Sequence, residues 1–213
     1  MVNCAPPKPS LSGGMLIVVA VLLTSVSVAT FGSFVQDSPD PSVKGKFLVA
    51  AGKMGDPRFH KSVIYILEHD SAGAMGLIVN KVIGELQVSE LLAKMGEAAP
   101  TSDKALQLYF GGPVEMERPF LLHSADVMFD SSIKIADSVA MSGHAEVLQA
   151  IAEGGGPRGY LFAVGYSGWG PGQLEGELAR GDWVTLEATS SLIFSETPEK
   201  TWEKLMEGTV FRL

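Results

Sequence analysis

Ser167 lies in Gly165-Tyr166-Ser167-Gly168-Trp169-Gly170, and a serine flanked by glycines after an apolar run is the residue type that nucleophilic acyl transfer uses. Residues 160–164 are apolar, residues 165–172 are dense in glycine, and an amphipathic segment follows, so the sequence predicts a strand, a sharp turn and a helix start. Pro171 is expected in the first turn of that helix, where its missing N–H costs nothing. A strained corner of this kind projects a hydroxyl outward, as in a nucleophile elbow. The string departs from Gly-x-Ser-x-Gly, however, because glycine directly follows Ser167. Two further readings stand beside catalysis. The glycines supply positive φ or close packing while Trp169 covers the core edge, or the helix start forms an anion or peptide site. Glu175 and Glu177 oppose an anion there, although acids in a first helical turn also favour the dipole. Gln173 is a neutral hydrogen-bonding candidate. The structural corner is the preferred reading, and no catalytic residue is assigned.

Other candidate chemistry is weaker. Gly154-Gly155-Gly156-Pro157-Arg158-Gly159 matches Gly-x-Gly-x-x-Gly but follows a predicted helix and precedes a strand, the reverse of a dinucleotide site, so it reads as a helix stop and linker. Gly111-Gly112-Pro113 reads as a turn, with no Gly-Lys-Ser/Thr after it to cradle phosphate. His60, His69, His123 and His144 lack His-x-x-x-His spacing, so no metal site or cofactor is expected. Glu68 and His69 are adjacent at a strand end and point to opposite faces, which prevents them from acting as an acid/base pair. His123, Ser124 and Asp126 hold the residue types of a triad without a nucleophile turn, and read as chance.

The elements that position these residues follow from patterning. The chain has 213 residues, 46% hydrophobic and 19% charged, enough for one well-buried domain. Its 24 glycines show no period and imply many turns. A net charge of −8 argues against a broad footprint on nucleic acid. The single cysteine, Cys4, precludes a disulfide framework or a thiolate-rich zinc site within one chain.

Residues 15–29 form an uncharged apolar run of 15 residues, at the border between a secretory h-region and a membrane-spanning helix. Ser27-Val28-Ala29 is a small-x-small pattern and favours a signal peptide (residues 1–29) cleaved after Ala29. If residues 30–35 extend the run, an uncleaved anchor over 15–35 is the alternative. Lys8 before the run and Asp37 and Asp40 after it agree with an N-inside orientation. Residues 30–44 read as a linker and 45–213 as the folded domain.

Within that domain, residues 47–51, 62–68 and 74–80 read as strands. The last two are almost continuously apolar and therefore covered on both faces. Val88, Leu91, Leu92 and Met95 mark one face of a helix that stops at Gly96. Strands are expected over 105–110 and 120–123, and extended chain over 133–141. A helix over 144–153 buries Val147, Leu148 and Ile151, and a strand follows at 183–188. A final helix is capped by Thr197, with Pro198 in its first turn and Trp202, Leu205 and Met206 inward. The mixture lacks strict βαβ alternation and predicts an α+β domain.

Several strings taken together resemble the YqgE/AlgH family. They are Asp56-Pro57-Arg58-Phe59, Ser62-Val63-Ile64-Tyr65 with Glu68-His69, and Gly73-Ala74-Met75-Gly76-Leu77-Ile78-Val79-Asn80-Lys81. They continue with Tyr109-Phe110-Gly111-Gly112-Pro113-Val114, Leu122-His123-Ser124 and residues 165–177. Their order and spacing span residues 45–213, far more specific than one short match. Gly52 and Asp182 depart from the usual proline and asparagine, and the apolar N-terminal extension departs from a mostly cytoplasmic family. The resemblance implies a single compact α+β domain whose mixed sheet folds into a pseudo-barrel with flanking helices. It also implies a link to regulation of alginate production in some members, and no settled catalytic residues.

The expected function is a non-catalytic binding or regulatory module on the far side of a membrane. It is expected to recognise an unknown protein or small-molecule partner through Ser167, Trp169, Gly170, Gln173, Tyr109, Gly111 and Gly112, and no nucleic acid. The alternatives are a hydrolase using Ser167 and, if the N-terminal segment is no export signal, a cytoplasmic-type transcriptional regulator.

Overall fold

Strand β9 (Tyr160–Trp169) is the hub of the domain, because three other strands pair with it. The computed structural model describes residues 42–210, and among these it forms ten strands and five α-helices. The strands before β9 are β1 (Lys46–Ala50), β2 (Val63–Asp70), β3 (Gly73–Ile78), β4 (Val82–Gln87), β5 (Ala105–Phe110), β6 (Val114–Ser124), β7 (Ile133–Ala136) and β8 (Val139–Met141); β10 (Trp183–Glu187) comes last. The helices are α1 (Val88–Lys94), α2 (His144–Ala152), α3 (Gln173–Ala179), α4 (Ser190–Ile193) and α5 (Thr201–Val210). Hydrogen-bonded neighbours run β10-β1-β2-β3-β9-β6-β8-β7, with β4 on β5 and β5 on β9. Among the described residues only β5 and β9 pair in parallel. The domain is therefore α+β, a curled, mostly antiparallel sheet with helices on it.

The expected double coverage of β2 and β3 is present, because alternate residues enter different cores. Phe47, Val49, Val63, Tyr65, Leu77 and Val79 join one buried cluster, and Leu48, Ala50, Ile64, Ile66 and Ile78 join another. Trp202, Leu205 and Met206 of α5 pack against the first cluster, as their spacing predicts, and the Trp202 indole N–H donates to the Ala50 carbonyl at 2.8 Å. A third cluster lies under α1 and α2, where Val88, Leu92, Val147, Leu148 and Ile151 meet Leu106, Leu121 and Phe162. Burying each such side chain contributes about 1.5–3 kcal/mol.

Several boundaries differ from the sequence expectation. β9 runs through to Trp169, so Ser167 is inside a strand and the turn begins only at Gly170. Pro171 precedes α3, whose N-cap is Gly172 at φ +73°, and is not in its first turn. The 133–141 stretch is a hairpin of β7 and β8. β6 begins six residues before the expected Phe120, at Val114, and has a register shift between Val114 and Pro119. β4 carries no expectation from the sequence; its residues are largely exposed and lack an alternating pattern. Thr197 stands before Pro198 as expected, but its side chain makes no cap; its hydroxyl accepts from Lys204 Nζ at 3.0 Å. Met95 ends the α1 stripe exposed. The export signal or anchor expected over 1–29 and 15–35, and most of the 30–44 linker, lie outside the described residues. Among the described residues no helix is long and apolar enough to cross a membrane.

Candidate functional site

The glycine-dense stretch works as a crossing point. At Gly165, φ +71°, β9 leaves its parallel partner β5, which pairs with Phe162 to Val164, and takes β3, which pairs with Ser167 to Trp169. Gly111 fills the gap between the two partners: its N–H donates to the Val164 carbonyl and its carbonyl accepts from the Ile78 N–H, both at 2.9 Å. A Cβ on Gly111 would lie 2.2 Å from the Gly165 carbonyl oxygen, and one on Gly112 would lie 2.2 Å from the Tyr166 carbonyl carbon. Both positions require glycine because backbone meets backbone there. Ser167 is 1% exposed, and its hydroxyl donates to the Gly111 carbonyl at 3.3 Å. A buried hydroxyl in mid-strand has no elbow to project it, so the Ser167 hydrolase loses the turn on which it depended.

Beside this crossing lies a cleft of about 460 Å³. It brings together residues far apart in sequence: Asp56, Arg58 and Phe59 from the turn after β1, Pro113 and Val114 at the start of β6, and Gly168 and Trp169 at the end of β9. Gln173, Glu177 and Arg180 come from α3 and its end, and Asp182 and Trp183 from the start of β10. Glu177 organises it. Its Oε2 accepts from the indole N–H groups of Trp169 and Trp183, each at 2.8 Å, and its Oε1 accepts from Gln173 Nε2 at 3.1 Å. The Gln173 amide oxygen in turn accepts from the Gly170 N–H at 3.2 Å, which ties the turn to the helix.

The two indoles meet edge to face at 6.1 Å between centroids, and Phe59 meets Trp183 likewise at 5.6 Å. At the rim Arg58 forms a fork with Asp56, Nη2 to Oδ2 at 2.6 Å, and holds that carboxyl below its usual pKa. Arg180 pairs with Asp182 at 2.9 Å. The cleft thus carries three carboxylates and two guanidinium groups around a fixed aromatic wall.

Of the residues expected to bind, Trp169 and Gln173 line the cleft and Gly170 is bonded to its edge. Ser167, Gly111 and Gly112 are packed in the crossing behind it. Tyr109 is elsewhere: it is 5% exposed in the main core, and its hydroxyl donates to Gln107 Oε1 at 2.9 Å. Phe59 and Trp183 are not among the residues expected to bind, and Glu177 is expected only as an acid opposing an anion. Their signal was present, since each lies in or beside a string that carries the family resemblance, but proximity across 124 residues is not visible in one chain.

A second opening, of about 500 Å³, is lined by Ser124, Asp126, Asp137, Arg158, Ser190 and Phe194 among others. Asp126 accepts from the Ser124 hydroxyl and from Arg158 Nε at 2.9 Å, and these bonds hold its pKa down to about 2. They clasp the end of β6 to the entry of β9, so Ser124 and Asp126 form no triad with His123. His69, by contrast, has partners the sequence did not suggest. Its Nδ1 accepts from the Val43 N–H at 3.0 Å, so its Nε2 is the nitrogen that donates to Glu175 Oε1, at 2.8 Å. No group of metal-binding side chains occurs among the described residues.

The family model described as AlgH-like matches residues 47–212. A UPF0301 protein of Methylococcus capsulatus is 45% identical over 163 residues, covering 76% of this chain and 89% of that protein. One of Jannaschia is 41% identical over 169 residues, 78% of this chain and 88% of that one. The solution structure of the AlgH protein from Pseudomonas aeruginosa superposes with a TM-score of 0.64 at 37% identity, over 81% of this chain and 90% of that one. A crystal structure from Corynebacterium diphtheriae has the same fold, with a TM-score of 0.63 at 22% identity over the same shares.

Proposed function

The chain belongs to the AlgH-like family, and from that premise we propose that it is a binding module whose ligand enters the cleft beside Trp169 and undergoes no reaction there. The observation that carries this reading is Glu177, a carboxylate that holds two indoles in place at the cleft wall. Neither ring can turn without losing its hydrogen bond, so the wall is formed before a ligand arrives and little side-chain entropy is lost on binding. The aromatic wall suits an apolar or planar body, and the Arg58 and Arg180 rim suits a polar end that competes with Asp56 and Asp182. A small molecule or a short peptide segment has this chemistry.

The cleft holds two of the chain's three tryptophans, which makes the test direct. In ¹⁵N spectra of the protein, a screen of small aromatic and amino-acid fragments should shift the indole signals of Trp169 and Trp183 and leave Trp202 unmoved. Ser167→Ala should bind equally well. Fragments that bind only elsewhere, or binding that vanishes with Ser167→Ala in a folded protein, would sink the reading.

The module is further proposed to act on the far side of a membrane. The uncharged run 15–29 and the Ser27-Val28-Ala29 pattern support this. Sequencing the N-terminus of the mature protein decides between the forms: Thr30 at the start means cleavage, and Met1 in the membrane fraction means an anchor. Met1 in the soluble cytoplasmic fraction would refute both.

A further inference from the structure

His123 and Ser142 form a pair that lies outside the Trp169 cleft. His123, on β6, is wholly buried. Its Nδ1 lies 2.9 Å from the Ser124 carbonyl oxygen, which can only accept, so Nδ1 carries a proton. In the neutral ring Nε2 is then an acceptor, and the atom it faces, at 2.6 Å, is the Ser142 hydroxyl. Ser142 therefore donates to His123. Ser132 accepts from the Phe129 N–H at 2.7 Å, and its own hydroxyl lies 2.7 Å from Ser142 Oγ. Since the Ser142 proton is committed to the imidazole, Ser132 donates to Ser142. Every proton in the chain Ser132, Ser142, His123, Ser124 is thus assigned by elimination, and Ser142 Oγ keeps one lone pair.

Placement adds to the geometry. Ser142 joins β8 to α2 through Met141-Ser142-Gly143, a strand-to-helix turn of the kind first sought at Ser167. It is 4% exposed and lines a separate cavity of about 230 Å³, with Arg118, Phe120, Ser131, Ile133 and Met141 also on its wall. A serine that only satisfied a buried imidazole would need no such opening.

We propose that Ser142 is a nucleophile activated by His123 and takes short acyl groups from esters. In this step the Ser142 Oγ–carbon bond forms while the proton passes to His123 Nε2. The carbon–oxygen bond to the leaving alcohol then breaks, and that alcohol takes the proton from His123. Water reverses the sequence and releases the acid, the same imidazole moving its proton. The Ser124 carbonyl holds the ring in its tautomer, the part an aspartate plays in the usual triad. Gly143, next to Ser142 on the cavity wall, carries the backbone N–H that an oxyanion would use, and that N–H now donates to Ser131 Oγ at 2.9 Å, a bond the oxyanion must displace. The small size of the cavity limits the acyl chain to a few carbons. This site is independent of the Trp169 cleft.

The test treats the full-length protein with a fluorophosphonate bearing short alkyl groups. The Ser142 Oγ–phosphorus bond forms, the phosphorus–fluorine bond breaks, fluoride leaves and the proton goes to His123. Peptide mass mapping should place the phosphonyl group on Ser142, in close to one copy per chain, and a long-chain reagent should react more slowly. Ser142→Ala should remain unmodified there, and His123→Gln should slow labelling by roughly a hundredfold or more. A folded wild-type protein with no label on Ser142 overturns the proposal, whatever the variants do. Labelling that is unchanged in a folded His123→Gln protein overturns it as well.

Discussion

Replacing Gly165 by alanine is expected to destabilise the domain by about 2–5 kcal/mol and to lower its unfolding midpoint by about 4–20 °C. Two independent costs meet at this residue. Its φ of +71° is a conformation that an L side chain adopts at about 1–2 kcal/mol. The new methyl would also stand 2.4 Å from the Gly112 carbonyl oxygen and 3.1 Å from that of Val114. Both are backbone atoms, Gly112 in the link from β5 to β6 and Val114 at the start of β6, so neither can swing aside as a side chain would, and overpacking of this kind costs about 1–3 kcal/mol more. Gly172 separates the two terms. It has nearly the same φ, +73°, but no atom lies within 4 Å of a Cβ there, so Gly172→Ala should show the backbone cost alone. Gly170 has neither positive φ nor a neighbour, and alanine there should melt close to wild type. If thermal unfolding put Gly165→Ala level with Gly172→Ala, the crossing would not be the constraint it is argued to be.

That comparison also explains how far the sequence could be read. Apolar periodicity located α1, α2, β2 and β3 because the pattern and the packing are the same fact: Val147, Leu148 and Ile151 share a stripe and are buried together. The glycine corner was legible as a place where glycine is required. Its reason was not, since it lies in Gly111 and Gly112, more than fifty residues upstream. The continuation of β9 to Trp169 is hidden for the same cause. Glycines usually close strands, whereas here Gly165 and Gly168 stay within one, Gly165 because neighbouring backbone leaves no room for a side chain and Gly168 against the Tyr166 ring. β4 was invisible because an exposed edge strand has no buried face to impose alternation. The cleft was half legible: Trp169 and Gln173 are local to the corner, but Phe59 and Trp183 reach it through the order of the sheet. His123 was read beside Ser124 and Asp126, its neighbours in sequence, while its partner is Ser142, nineteen residues on across the β6–β8 pairing.

Glu177 carries the second large effect, and the choice of substitution separates folding from recognition. Glu177→Ala leaves two indole N–H donors without their acceptor. Each costs about 1–3 kcal/mol where water cannot replace the bond. Both rings are largely buried, Trp169 at 7% and Trp183 at 4% exposed, so a loss of about 2–6 kcal/mol is expected, with the contact from α3 to β9 and β10 loosened. Glu177→Gln behaves differently. Its amide oxygen can still accept from both indoles, and the conflict moves to Gln173, whose NH₂ would face another NH₂. Gln173 must turn its amide and give up the Gly170 N–H, at a cost of about 1 kcal/mol.

The indole signals report which of these has happened. Trp202 donates to the Ala50 carbonyl and not to Glu177, and serves as an internal reference. Glu177→Ala should move the Trp169 and Trp183 indole signals toward those of a free donor and leave Trp202 in place, with a midpoint lowered by several degrees. Glu177→Gln should keep all three near their wild-type positions and change only what binds. Should the alanine variant melt like wild type with all three indole signals unmoved, Glu177 would not be what fixes the aromatic wall, and the cleft would lose the preorganisation on which its binding role rests.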